Sequence, residues 1–120
     1  MRSPEQIAAA FDAVADRHDA MRWNCPLSEF DAGILSSLDV IANSRTGGAA
    51  LFLGSGTGRE ALPFAIRNWT CDLVDISQRM LFLARARLQS LNVRMFELEA
   101  TEYLTASSST YDFVSMVGEL

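Results

Sequence analysis

The stretch Ala49-Ala50-Leu51-Phe52-Leu53-Gly54-Ser55-Gly56-Thr57-Gly58 decides the fold. Its first five residues are uninterruptedly apolar, the mark of a short strand buried on both faces. Three glycines at alternate positions follow. Glycine opens backbone angles closed to other residues and lets another group come close to the main chain. Beyond the turn, residues 60–68 read as a helix interrupted by Pro63, which must either begin that helix or bend it. A helix start beside the turn adds backbone N–H groups that no helical carbonyl satisfies.

Reading onward, Thr70 to Val74 is a second strand that ends in Asp75. Ser77 is placed to cap a longer helix to about Ser90, with Met80, Leu81, Ala84, Leu88 and Leu91 as its apolar contacts. Val93 to Leu98 is a third strand, and Thr101 to Ala106 supplies one or two helical turns. A polar loop over Ser107 to Thr110 leads into a fourth strand, Tyr111 to Val117. Reading backward, a polar loop from Asn43 closes on Gly47-Gly48. Before it, Ser28 caps a helix with Asp31 at its third position and a buried stripe of Ile34, Leu35, Leu38 and Ile41. Ser3, Pro4 and Gln6 form a capping-box pattern for a first helix, which places Ile7, Ala10, Phe11 and Val14 on one face. Two helices followed by alternating strands and helices imply an α/β fold. Its sheet is parallel, its crossovers are right-handed, and helices cover both faces. A ligand belongs at the carboxyl ends of such strands, at the point where the strand order reverses.

The composition narrows the partners. With 120 residues, 49% hydrophobic and 21% charged, the chain makes one small globular domain and is too apolar to be disordered. All ten basic residues are Arg, the acids number 15, and the net charge is −5. An acidic chain without a basic run argues against nucleic acid or an anionic membrane as the main partner. Cys25, Cys71 and the single His18 support neither a disulfide framework nor a zinc site. No apolar run reaches the about 20 residues that span a bilayer. Glu5, Asp12, Asp16 and Asp19 in the first twenty residues fit neither a secretory signal nor a mitochondrial presequence, so the expected compartment is the cytoplasm.

The chemistry rests on the glycine turn and Asp75 together. A carboxylate at the end of the second strand of a nucleotide-binding sheet accepts hydrogen bonds from both hydroxyls of a ribose. The dinucleotide pattern asks for glycine at position 59, which is Arg59. The phosphate-loop pattern asks for a lysine, and the chain has none.

With these residues in view, the sequence resembles the class I S-adenosylmethionine-dependent methyltransferases. Leu51 to Gly58 matches the family's first strand and turn except at Phe52, where an acid is usual. Asp75-Ile76-Ser77-Gln78-Arg79-Met80-Leu81 resembles the second motif, Phe96 to Leu104 the third, and Tyr111-Asp112-Phe113-Val114 the fourth-strand motif. Phe11 to Asp19 resembles an upstream segment of many small-molecule members, with His18 where an aromatic is usual. The resemblance implies that Gly54, Ser55 and Gly56 line the methionine part of the cofactor and that Asp75 holds the ribose. It implies that Ile76 and Met80 pack on the adenine face, that Glu99 meets the adenine amino group, and that Ala100 offers its N–H to a ring nitrogen. Val117 would lie under the sulfonium end, and Phe11 and His18 would close the site. No residue is assigned as a catalytic base, and no metal is called for.

The family's sheet has seven strands in the order 3-2-1-4-5-7-6, so the resemblance implies a Rossmann-like sheet of four strands here, ordered 3-2-1-4. Residues 1–46 form a helical cap segment and 47–120 the cofactor-binding portion. Strand four is then an edge carrying Phe113, Val114, Met116 and Val117, where the rest of the fold or a second copy would pair. The expected function is methyl transfer from S-adenosylmethionine to a small-molecule acceptor, with this chain supplying the cofactor-binding part. The alternative is a non-catalytic, methyltransferase-like subunit that associates through the strand-four edge. A nicotinamide oxidoreductase is a third reading, opposed by Arg59 and by Glu99-Ala100.

Overall fold

A computed structural model of the chain describes residues 3–6, 8, 29–89 and 91–116. The elements are α1 (Glu29–Ala42), β1 (Ala49–Leu53), α2 (Leu62–Ala65), β2 (Thr70–Asp75), α3 (Gln78–Arg87), β3 (Val93–Glu97), α4 (Ala100–Ala106) and β4 (Phe113–Ser115). Ahead of them, residues 4–6 and 8 are helical, and the expected capping box is present. Gln6 N–H donates to Ser3 Oγ at 3.2 Å, and Ser3 N–H donates to Gln6 Oε1 at 2.8 Å. The rest of that first helix, with Phe11 and His18, lies outside the described residues.

The four strands form one parallel sheet in the order β3-β2-β1-β4. The chain steps outward from β1 to β3, then returns to add β4 on the other side of β1. The reversal of direction therefore falls beside β1, where the glycine turn emerges. Helices cover both faces. Alternate residues of each strand point to opposite sides. Ala50, Phe52, Cys71 and Leu73 join Leu38 and Ala42 of α1, Phe64 and Ala65 of α2, and Leu81, Ala84 and Leu88 of the α3 side. Leu51, Leu53 and Val74 point the other way, toward Tyr103 of α4.

Several local expectations shift. Pro63 begins its helix rather than bending it, and the helix is one turn long, Leu62–Ala65, instead of spanning 60–68. The stripe of α1 turns slightly. Leu38 and Ala42 are buried in one cluster with Trp69, while Ile41 is exposed. The Trp69 indole N–H donates to the Ala42 carbonyl at 3.0 Å, which satisfies one of the orphan acceptors there. The fourth strand is shorter than Tyr111–Val117. Tyr111 is drawn out of the ladder by a side-chain bond described below, and Asp112 instead fixes the register. Its N–H donates to the Ala49 carbonyl at 2.7 Å and its carboxylate accepts from Ala49 N–H at 2.9 Å. Val114 and Met116 are exposed at this edge. Among the described residues, no helix is long and apolar enough to cross a membrane.

Candidate functional site

The site grows from the end of β1. Gly54, Gly56 and Gly58 all have positive φ, at 63°, 56° and 84°. L-residues reach that region only at a cost of about 1–2 kcal/mol, so the alternating glycines are what let the strand reverse so sharply. The turn is tied to the neighbouring strand by Ser55 N–H, which donates to the Val74 carbonyl at 3.1 Å. The glycines then divide the work. A Cβ on Gly58 would sit 2.9 Å from Leu88 Cδ1 and 3.4 Å from Ala84 Cβ, so this position is bare to let α3 pack. A Cβ on Gly56 would meet nothing within 4 Å. That side of the turn is open.

Asp75 stands across from the opening. Its Oδ2 accepts from Gly56 N–H and its Oδ1 from Ser77 N–H, each at 2.8 Å. The carboxylate thus bridges the glycine turn and the start of α3, at the carboxyl ends of two adjacent strands. Ser77 is buried and caps α3, with its Oγ accepting from Met80 N–H at 3.1 Å. Ile76 is half-buried beside Asp75, and Met80 is fully buried one turn on. The Ser55 hydroxyl is buried in the turn without a hydrogen-bond partner. An orphaned polar atom of this kind is uncommon in a finished interior.

Glu99 and Ala100 lie past the end of β3. Glu99 is the N-cap of α4, with its carboxylate accepting from Glu102 N–H at 3.2 Å. Ala100 is the first helical residue, so its N–H has no intrahelical acceptor. Asp75 therefore ends β2 and Ile76 follows it, Glu99 and Ala100 follow the end of β3, and Gly54, Ser55 and Gly56 follow the end of β1. Val117 lies outside the described residues. A groove of about 320 Å³ also exists between α1 and α2, lined by Leu35, Ser36, Asp39, Arg59, Leu62 and Pro63. It shares no residue with this set. Cys71 is buried, and its burial pushes the thiol up to about 12, which makes it inert as a nucleophile. Among the described residues, no three His, Cys, Asp or Glu side chains gather to hold a metal ion.

Sequence reasoning missed one cluster. Asp72, in the middle of β2, is 1% exposed. Arg94 Nε donates to its Oδ1 at 2.8 Å and Arg94 Nη2 to its Oδ2 at 2.7 Å. The Tyr111 hydroxyl donates to the same Oδ2 at 2.6 Å and is itself bonded to the Tyr103 hydroxyl. The signal was present in the sequence: an acid inside a buried strand needs a partner. Pairing it with Arg94 required the register that sets Asp72 beside Arg94.

These carboxylates predict how the fold fails in acid. Burial by itself would raise Asp72, but the hydrogen bonds from Arg94 and Tyr111 outweigh it and hold the group below its ordinary 3.8. The backbone N–H groups of Thr101 and Glu102 hold Glu99 below its ordinary 4.5. Groups lowered on folding stabilise the native state above their unfolded values, and that contribution disappears as pH falls through the folded ones. Stability is therefore expected to be flat from pH 7 to 5 and to fall steeply below about pH 4. Melting curves across pH 3–7 test this, and a loss centred near pH 6 would contradict it.

Comparison with known proteins agrees with this architecture. A sequence profile described as a methyltransferase domain matches residues 50–120, so the chain belongs to that family. No curated protein matches. Among solved structures, magnesium protoporphyrin IX methyltransferase from Synechocystis PCC 6803, solved with bound SAM, is similar at a TM-score of 0.69 and 16% identity. The match covers 97% of this chain and 62% of that one. A SAM-dependent methyltransferase from Thiobacillus denitrificans, in complex with S-adenosyl-L-homocysteine, gives 0.64 at 24% identity, with 84% and 41% covered. A SAM-dependent methyltransferase from Agrobacterium tumefaciens gives 0.67 at 19%, with 75% and 32% covered. The chain thus spans between 32% and 62% of the length of these structures, and at such identities the likeness is one of fold.

Proposed function

We propose that this chain is the S-adenosylmethionine-binding part of a methyltransferase whose acceptor is a small molecule. The observation that carries the reading is the link from Gly56 N–H to Asp75, made beside the open face of the turn at the point where strand order reverses. The residues suit the cofactor. The open face at Gly56 and the orphaned Ser55 hydroxyl provide a polar cradle for the methionine end. A carboxylate has about four acceptor positions. Two backbone bonds fix the plane of Asp75, and that is compatible with accepting from a vicinal diol. Glu99 and the Ala100 N–H offer the acceptor and donor pair that an adenine edge presents in reverse, with Ile76 and Met80 on the apolar side.

When bound, S-adenosylmethionine supplies an activated methyl group on a positively charged sulfur. The protein's share of such a displacement is alignment of donor and acceptor and exclusion of water. Every residue named above binds or orients; none is assigned as a base. The apolar β4 edge, with Val114 and Met116, is where a further strand or a second copy would pair.

Thermal melting with and without S-adenosylhomocysteine tests the reading. Ligand at about a hundred times its Kd adds about 2.7 kcal/mol, which corresponds to a rise of about 10 °C for a domain of this size. Asp75→Asn is expected to abolish most of that rise. A cooperative wild-type melt that the ligand leaves unmoved overturns the proposal.

A further inference from the structure

The Asp72 cluster does nothing in the cofactor reading above, yet it reaches the residues that reading uses. Helix α4 is seven residues long, too short to hold together without tertiary contacts. Tyr103 is its one buried residue. The Tyr103 ring packs against Phe96 of β3, with ring centres 5.0 Å apart. Its backbone N–H donates to the Glu99 carbonyl at 3.0 Å. The seating of Tyr103, with Ala100 partly buried against the same cluster, therefore sets where Glu99 and Ala100 stand.

Burial of the ring is non-directional and constrains the turn and slide of the helix less than a hydrogen bond does. The hydroxyl is directional. Tyr111 spends its proton on Asp72, so Tyr103 must donate to Tyr111. Asp72 is in turn gripped by both arms of Arg94. The chain of bonds runs from β3 through β2 and the loop before β4 into α4. A cluster of this kind adds little net stability over apolar packing of the same volume. What it adds is a fixed geometry.

We propose that Tyr103, locked by Asp72 through Tyr111, is a positioning residue that sets Glu99 and Ala100 against the adenine edge of the cofactor. This rests on the S-adenosylmethionine reading given above. It predicts that the cluster governs discrimination at the base rather than affinity for the whole ligand.

The experiment compares the Kd of S-adenosylhomocysteine with that of S-inosylhomocysteine, in which hypoxanthine replaces adenine and a 6-oxo group stands for the 6-amino group, by calorimetry on the 120-residue chain. The wild type is expected to prefer the adenine compound by at least about tenfold, the size of one directional hydrogen bond. Tyr103→Phe keeps the ring and loses only the hydroxyl, and it is expected to bring the ratio to within about twofold. Asp72→Asn is expected to do the same. Phe64→Leu, in the opposite layer of the core, serves as the control: it lowers the melting temperature and leaves the ratio intact. A Tyr103→Phe protein that still discriminates as the wild type does overturns the inference, whatever its stability. A wild type that binds neither compound overturns the cofactor reading itself and this inference with it.

Discussion

Phe52→Asp is expected to abolish the cooperative melt of this protein. The family pattern has an acid at this position, so the substitution looks like a repair. The structure gives the opposite answer. Phe52 is 2% exposed, and its ring meets Phe64 edge-on with centres 5.4 Å apart. Phe64 stacks on Phe113 at 4.9 Å and meets Trp69 edge-on at 5.0 Å. One aromatic cluster thus joins β1, α2, β4 and the Trp69 turn that carries the end of α1. Deleting a buried Phe side chain costs about 3–5 kcal/mol. An unpaired carboxylate in its place adds a further penalty, or forces the group to stay protonated. A domain has about 5–15 kcal/mol in total, so the variant loses most of its stability. Circular dichroism melting checks this directly, with Phe52→Leu expected to melt cooperatively at a modestly lower temperature. An aspartate variant that melts within a few degrees of wild type would show that the aromatic cluster does not hold these elements together.

The second large effect separates two glycines that look alike in the sequence. Gly58→Ala is expected to cost about 2–4 kcal/mol. Part of that is the left-handed backbone, about 1–2 kcal/mol. The remainder is crowding: the new methyl group lands 2.9 Å from Leu88 Cδ1, and Leu88 is itself fully buried with nowhere to retreat. Gly56→Ala carries the backbone strain alone, because its methyl group meets open space. It should therefore melt closer to wild type and yet lose S-adenosylhomocysteine by tenfold or more, since the methyl group occupies the face a ligand must approach. Melting temperature and calorimetric Kd, measured on both variants, make the comparison. Equal stability losses would mean that Gly58 is not packed as the structure has it. Undiminished binding by Gly56→Ala would move the ligand away from this turn.

Much of this was legible in the chain. The apolar run 49–53, the alternating glycines and the Ser77 cap specify their own backbone, because each acts within a few residues. The parallel order of strands followed from alternation and from the family resemblance. Asp75 stood out because it ends the strand that follows the glycine turn, and in the fold its carboxylate ties Gly56 to Ser77. Other features needed the assembled fold. Whether Pro63 begins or bends a helix depends on what α2 packs against. The start of β4 depends on Tyr111 being held by Asp72. Phe52 reads as a missing acid in one dimension and as the centre of an aromatic cluster in three.

What the sequence by itself determined is the set of elements, their alternation and the location of the turn, since those depend on local angles and on the spacing of apolar residues. Only the tertiary structure decided which glycine faces open space and which a helix, and which charged residue is paired. Asp72 and Arg94 are twenty-two positions apart in the chain and 2.7 Å apart in the fold, and a contact of that kind exists only once the register of two strands has been set.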